Sequence, residues 1–147
     1  MATTVTAADL LVTITESYTL NNVSYGNTTT KTFSSNGQVD QRIMSVATTE
    51  KALFNWEAVD SAGVGVAADY VYFRVTNLDD TNFVTLRLYN GADSFWFKLA
   101  AGESLLLMNN EMDAITGSTF GALADITSVL GIANTAACDV EFMAVTA

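Results

Sequence analysis

Hydrophobic and polar residues alternate with period two in segment after segment of this chain, the signature of half-buried β-strands. In the run from Leu10 to Leu20, Val12, Ile14, Tyr18 and Leu20 share one face, broken at the same parity by Glu16. Thr13, Thr15, Ser17 and Thr19 share the other face. Asn21 to Asn27, with paired asparagines and then Tyr25-Gly26-Asn27, predicts a turn into a second, Thr-rich strand ending near Phe33. Ser34-Ser35-Asn36-Gly37 is the clearest turn signal of the N-terminal half. Val39 to Val46 reads as a third strand. Lys51 to Val59 reads as a fourth, with Ala52, Phe54, Trp56 and Ala58 on one parity.

The centre of the chain carries the strongest pattern. From Asp69 to Thr76, Val71, Phe73 and Val75 oppose Tyr70, Tyr72 and Arg74; from Asn82 to Asn90, Val84, Leu86 and Leu88 oppose Phe83, Thr85, Arg87 and Tyr89. Between them, Asn77-Leu78-Asp79-Asp80-Thr81-Asn82 is rich in residues that bond their own backbone, and it predicts an antiparallel hairpin. Asn90-Gly91-Ala92-Asp93 is a further turn. Phe95, Phe97 and Leu99 then alternate with Trp96 and Lys98, and Ala101-Gly102-Glu103 turns into Ser104 to Met108. In the last strand Cys138, Val140, Phe142 and Ala144 oppose Asp139, Glu141, Met143 and Val145.

Asn109 to Ala137 lacks this alternation. Leu123, Ile126 and Leu130 stand at helical spacing, so the segment near residues 119–131 is either one short helix or a long loop crossing one end of the fold. About nine strands at 8 to 12 residue spacing, without a βα repeat, predict an all-β domain of two packed antiparallel sheets. No linker or internal repeat divides residues 1–147, which read as a single β-sandwich domain.

Composition then removes whole classes of chemistry. With 147 residues the chain is long enough to bury roughly two thirds of its unfolded surface in one core. It contains no His, which removes imidazole-based triads and the commonest metal ligand. A single Cys, Cys138, excludes an internal disulfide framework and CxxC redox chemistry. The net charge is −10, and its six cations, Lys31, Arg42, Lys51, Arg74, Arg87 and Lys98, stand apart. They form neither a phosphate-tracking stripe nor a polybasic hold on lipid. No apolar run reaches the ~20 residues of a membrane span, and the N-terminus lacks a charged region followed by an apolar one. The chain therefore reads as soluble and without an export signal, with no direct nucleic-acid or membrane partner.

Few residues remain as candidates for chemistry. Asp79, Asp80, Asn77 and Asn82 offer oxygens to a cation, but they lack the spacing of a Ca²⁺ loop, and a turn uses the same residue types for backbone reasons. Glu16 is the one acid at an apolar parity, and a strand-edge role accounts for it better than paired-carboxylate catalysis. Asn22-Val23-Ser24 and Asn27-Thr28-Thr29 match the glycosylation sequon by chance in a chain without a signal peptide. Cys138 reads as a small core residue. No catalytic residue, cofactor site or metal site is predicted, and the chain reads as a non-enzyme.

Aromatic residues are the exception. Trp96 lies between Phe95 and Phe97, so its strand carries bulky apolar groups on both faces, and only one face can point at the core. Tyr70 and Tyr72 oppose the Val71, Phe73 and Val75 face. Either another protein chain buries these outer rings, or a loop such as Asn109 to Ala137 covers them. Trp96, Tyr70, Tyr72, Tyr89 and Trp56 are the candidate contact residues.

Several stretches also carry a family resemblance. Leu10 to Leu20 followed by Tyr25-Gly26, then Val39 to Val46 and Tyr70 to Asn82, resemble small virion structural proteins of marine tailed bacteriophages, especially those of cyanobacteria. So do Phe97-Lys-Leu-Ala-Ala-Gly-Glu-Ser-Leu105 and the ending Ala136 to Phe142. The resemblance implies a jelly-roll or related β-sandwich. It also implies a decoration or cement protein on the capsid exterior, made in the host cytoplasm and seated as a homo-oligomer on the major capsid protein. It supplies no functional residue. A tail or tail-fibre component shares the same strand pattern, and a carbohydrate-binding adhesion module stacking sugars on Trp56 or Trp96 is the rival from another class.

Overall fold

The computed structural model describes residues 6–56, 69–112 and 124–147, and no α-helix occurs among them. The chain divides into two compact units, residues 1–37 with residue 147, and residues 38–146. This differs from the undivided domain read in the sequence. The Ser34 to Gly37 segment, expected as a turn, is strand up to Asn36, and Gly37 alone separates the Thr28–Asn36 strand from Gln38–Val46 of another sheet.

The first unit contains β1 (Ala8–Thr15), β2 (Tyr18–Leu20), β3 (Val23–Tyr25) and β4 (Thr28–Asn36). Because β1 pairs antiparallel with β4 and β2 with β3, the unit is one long hairpin. Its chain reversal is Asn21-Asn22, with φ of 50° and 64°, the left-handed geometry that a two-residue type I′ loop requires and asparagine tolerates. The expected continuous strand from Leu10 to Leu20 breaks at Glu16-Ser17, where the Glu16 N–H donates to the Asn27 carbonyl at 2.8 Å. Gly26 lies against that break at φ 152°, and a Cβ there would collide with the Glu16 carbonyl oxygen. At the base, the Asn36 Nδ2 donates to the carbonyls of Phe33 at 2.6 Å and Ala8 at 2.9 Å.

The second unit begins with β5 (Gln38–Val46), β6 (Lys51–Asn55), β7 (Tyr70–Asn77), β8 (Val84–Tyr89) and β9 (Ser94–Leu99). It continues with β10 (Ser104–Leu107), β11 (Glu111–Met112), β12 (Ala124–Asp125), β13 (Ser128–Ala133) and β14 (Cys138–Thr146). Two four-stranded antiparallel sheets, ordered β10-β7-β14-β5 and β6-β13-β8-β9, pack as a sandwich. The pairing is nested: β8 with β9, β7 with β10, β6 with β13, and β5 with β14. A long double-stranded ribbon is thus wrapped over itself, and the β14–β7 and β13–β8 pairs close the wrap. That is a jelly roll.

Alternation accounts for the core. Val46, Val75, Leu86, Leu99, Val129 and Phe142 are fully or almost fully buried between the sheets, and each such side chain contributes about 1.5–3 kcal/mol of transfer free energy. Two β-bulges modify the pattern. Val129 faces Phe54 while Leu130 faces Ala52, so Leu53 is the extra residue and is buried alongside Phe54. Val145 faces Tyr72 while Thr146 faces Tyr70, which leaves Val71 unpaired and brings Tyr70 to the core side.

The segment near residues 119–131, expected as one short helix or a long loop, is largely strand over its described part. Residues 119–123 lie outside the described residues, whereas Ala124–Asp125 and Ser128–Ala133 are strands. β13 is a central strand whose inward positions are Val129, Gly131 and Ala133. A Cβ on Gly131 would stand 3.3 Å from both Leu53 Cδ1 and Val46 Cγ1, so close packing requires the small residues that hid the alternation.

The expected hairpin between β7 and β8 is also corrected, since these strands belong to opposite sheets and their connection crosses the sandwich. Asn77 organises that crossing. Its fully buried Nδ2 lies within hydrogen-bond distance of the carbonyls of Asn82 (2.8 Å), Ala100 (3.1 Å) and Leu99 (3.2 Å). Its Oδ1 accepts from the Asp79 N–H at 3.1 Å, and the Asp79 Oδ1 accepts in turn from the Thr81 and Asn82 N–H groups. Those backbone donors hold the Asp79 carboxyl below its ordinary value. The β9-to-β10 crossing lies at the same corner, because the Asn77 N–H donates to the Glu103 carbonyl and the Gly102 N–H donates to that of Asn77. Asn77→Ala is expected to cost about 2–3 kcal/mol in urea unfolding, since it leaves buried carbonyls unpaired. Asn77→Asp is expected to cost more, because it keeps the shape but sets a carboxylate against three carbonyl oxygens.

Candidate interaction surface

The outer face of the β6-β13-β8-β9 sheet carries Trp96 and Tyr89, the two candidate rings that are not buried. β9 is an edge strand, with no strand beyond it among the described residues. Cross-strand register aligns Ala52, Leu130, Arg87 and Trp96 in one row, with Tyr89 two residues along β8 on the same face. The Arg87 guanidinium carbon lies 5.3 Å from the Trp96 ring centroid and 5.5 Å from that of Tyr89. Its Nη2 donates to Glu50 Oε1 at 2.6 Å, which fixes the cation between the two rings. The Tyr89 hydroxyl donates to the Gly91 carbonyl at 2.6 Å, so that ring is anchored as well. Trp96 is 49% exposed, and Tyr89 is half-buried.

On the opposite side of the same strand, Phe95 is 55% exposed at an apolar cavity of about 270 Å³. Leu88, Leu107, Met108, Met112 and Ile126 line it with Phe95. Phe97, by contrast, packs against the core. The end of β9 therefore presents aromatic area on both faces, a form of edge that invites another surface.

Three of the five sequence candidates lie elsewhere. Trp56 and Tyr70 are core residues, in a ring cluster with Phe54, Phe73 and Phe142 whose centroids are 4.5–5.7 Å apart. The Arg42 guanidinium lies 4.8 Å from the Phe142 ring centroid. The bulge at Val71 explains Tyr70, and Trp56 continues the inward parity of Phe54. Tyr72 keeps the outer parity, beside Arg74, yet it is 7% exposed in the chain itself. These three rings do not project from the molecule, and of the five candidates Trp96 and Tyr89 alone reach the surface. Strand pairing adds Arg87 and Leu130, which sequence reasoning missed because a lone Arg at an outer position carries no signal until register sets it beside the two rings. Cys138 is buried in the core, where burial raises its thiol pKa.

Burial pushes the Tyr70 phenol up to about 12, and it raises Tyr72 in the same direction. The fold thus favours the neutral phenols. This contribution is complete below the unfolded value near 10 and is lost as pH rises toward 12. Thermal melts between these limits are expected to show a falling midpoint, and Tyr70→Phe is expected to flatten that fall.

Comparison of the chain with protein-family models, with curated proteins and with solved structures finds no match.

Proposed function

We propose that this chain is a non-enzymatic virion structural protein that decorates and cements a phage head. In this reading it seats the outer face around Trp96 on the major capsid protein at the capsid exterior. The observation that carries the reading is the Trp96–Arg87–Tyr89 cluster on a rigid sheet, half open to solvent and already ordered by Glu50. Trp, Arg and Tyr are the residue types that dominate interface energetics, and a pre-ordered set loses little entropy on binding. The resemblance of Leu10 to Leu20, Tyr70 to Asn82 and Phe97 to Leu105 to phage virion proteins supplies the virion context. A sandwich whose sheets are tied at their crossings suits a part that must hold its shape under capsid strain.

The exposed Trp96 ring also favours a second reading, in which the same face stacks on the sugar rings of a host polysaccharide.

Purified protein is expected to co-sediment with undecorated capsids. Trp96→Ala is expected to weaken that binding by roughly thirtyfold, the ~2 kcal/mol of an interface hot spot, with the fold intact. Failure to co-sediment with intact capsids counts against cementing. A glycan-array signal that Trp96→Ala abolishes would transfer the surface to the sugar reading.

A further inference from the structure

The strand β5 (Gln38–Val46) ends its sheet, with no strand beyond it among the described residues. Its outward-facing Val39 and Ile43 are 61% and 64% exposed. Asp40 and Arg42, which stand between them along the strand and are ion-paired at 3.4 Å, are about half exposed. A long open edge is a template for another strand, and natural edges are guarded from their own copies by charges that repel. The charges here attract. We propose that β5 pairs antiparallel with β5 of a second copy of this chain about a twofold axis at Gln41, which joins two four-stranded sheets into one of eight strands. This contact is separate from the proposed capsid face, which lies on the other sheet.

The order of residues along β5 selects both the partner and the register. With Gln41 on the axis, Val39 faces Ile43, Asp40 faces Arg42 and Gln38 faces Met44, and the twofold repeats each pair. Each exposed apolar residue thus gains an apolar neighbour, and each charge gains an opposite one. Odd positions meet odd positions and even meet even, so backbone groups turned away from β14 meet groups turned the same way, as an antiparallel ladder requires. The nearest registers that keep this match put the axis at Asp40 or at Arg42, and either one sets like charges face to face. The ladder stops at Met44, short of Ser45, whose carbonyl already accepts from Lys51 Nζ at 3.3 Å. Charge favours this element in a second way, because Gln38 to Met44 is neutral within a chain of net charge −10, and two copies can approach there. Strand length sets the strength. Seven paired residues span about 24 Å and cover roughly 250–300 Å² per partner, well below the ~800 Å² of a stable interface. The contact is thus weak in solution, with a Kd on the order of 100 μM, and it becomes effective where copies are held side by side.

Sedimentation equilibrium of the full chain from about 5 to 500 μM is expected to show the mass rising from monomer toward dimer. Asp40→Arg sets like charges across the axis while leaving Arg42 on the Phe142 ring, and it is expected to shift the transition upward by roughly tenfold or more. Asp40→Arg/Arg42→Asp restores opposite charges in the same register and is expected to bring the transition back. Trp96→Ala is expected to leave it in place. Cysteine placement reads the register without relying on those charges. Facing Cα atoms of an antiparallel pair lie about 4.5–5.5 Å apart, within disulfide reach. Gln41→Cys is therefore expected to link two copies under mild oxidation, since Cys138 is buried and does not compete. Ile43→Cys sets its two thiols roughly 14 Å apart, four residues out of register, and is expected to stay unlinked. A wild-type chain that stays monomeric, an Asp40→Arg variant that associates like wild type, or a folded double variant that fails to recover would each overturn the proposal. So would a loss of association in Trp96→Ala, or a Gln41→Cys variant that links no more readily than Ile43→Cys.

Discussion

One buried carboxamide holds the corner on which the sandwich turns. Asn77 stands where the ribbon passes from β7 to β8, from one sheet to the other, and its side chain bonds the backbone of that crossing and of the β9-to-β10 crossing together. A polar group without solvent access is tolerable only when its bonding capacity is filled, and here the amide and carbonyl of the side chain both find backbone partners. The consequence reaches the proposed contact face. β8 and β9 lead away from this corner, and their mutual register places Arg87 beside Trp96.

The proposed contact surface draws on what the strands leave uncovered. β9 ends its sheet with an aromatic side chain on either side, Trp96 outward and Phe95 at the cavity. The other sheet has a different outer face, where a polar chain crosses all four strands. Gln41 Nε2 and Arg74 Nη2 donate to Glu141, Arg74 Nη1 donates to Thr76, and the Thr76 and Ser104 hydroxyls are bonded to each other. Those two bonds to Glu141 hold its carboxyl below the ordinary value. The two outer faces of the sandwich therefore differ in kind, an aromatic–cation cluster on one and a polar chain beside the exposed Val39 and Ile43 on the other.

Much of this architecture was legible in the sequence because strands with one buried face must alternate. Val84, Leu86 and Leu88, or Val140, Phe142 and Ala144, announce both the strand and its inward side. What local pattern could not supply was pairing. Asn77 to Asn82 has the chemistry of a turn in either topology, since Asx bonds shape the backbone the same way whether the chain returns in one sheet or crosses to the other. Bulges were equally invisible. Val71 carries no mark that it falls out of the ladder, yet that residue decides that Tyr70 lies in the core. Gly131 and Ala133 concealed a central strand, and at Gly131 the close neighbours Leu53 and Val46 leave room only for a small residue. Of the aromatic candidates, Trp96 was legible because its flanking phenylalanines load both parities, while Trp56 and Tyr72 show that a large ring at a given parity does not reveal its own exposure.

The proposed capsid contact would be made by one particular face of the sandwich. A density map of undecorated heads incubated with the purified chain measures this directly. The expected result is the β6-β13-β8-β9 sheet lying against the capsid shell with Trp96 enclosed at the contact. A bound sandwich that turns this sheet to solvent and seats the Gln41, Arg74 and Glu141 face on the shell would contradict it.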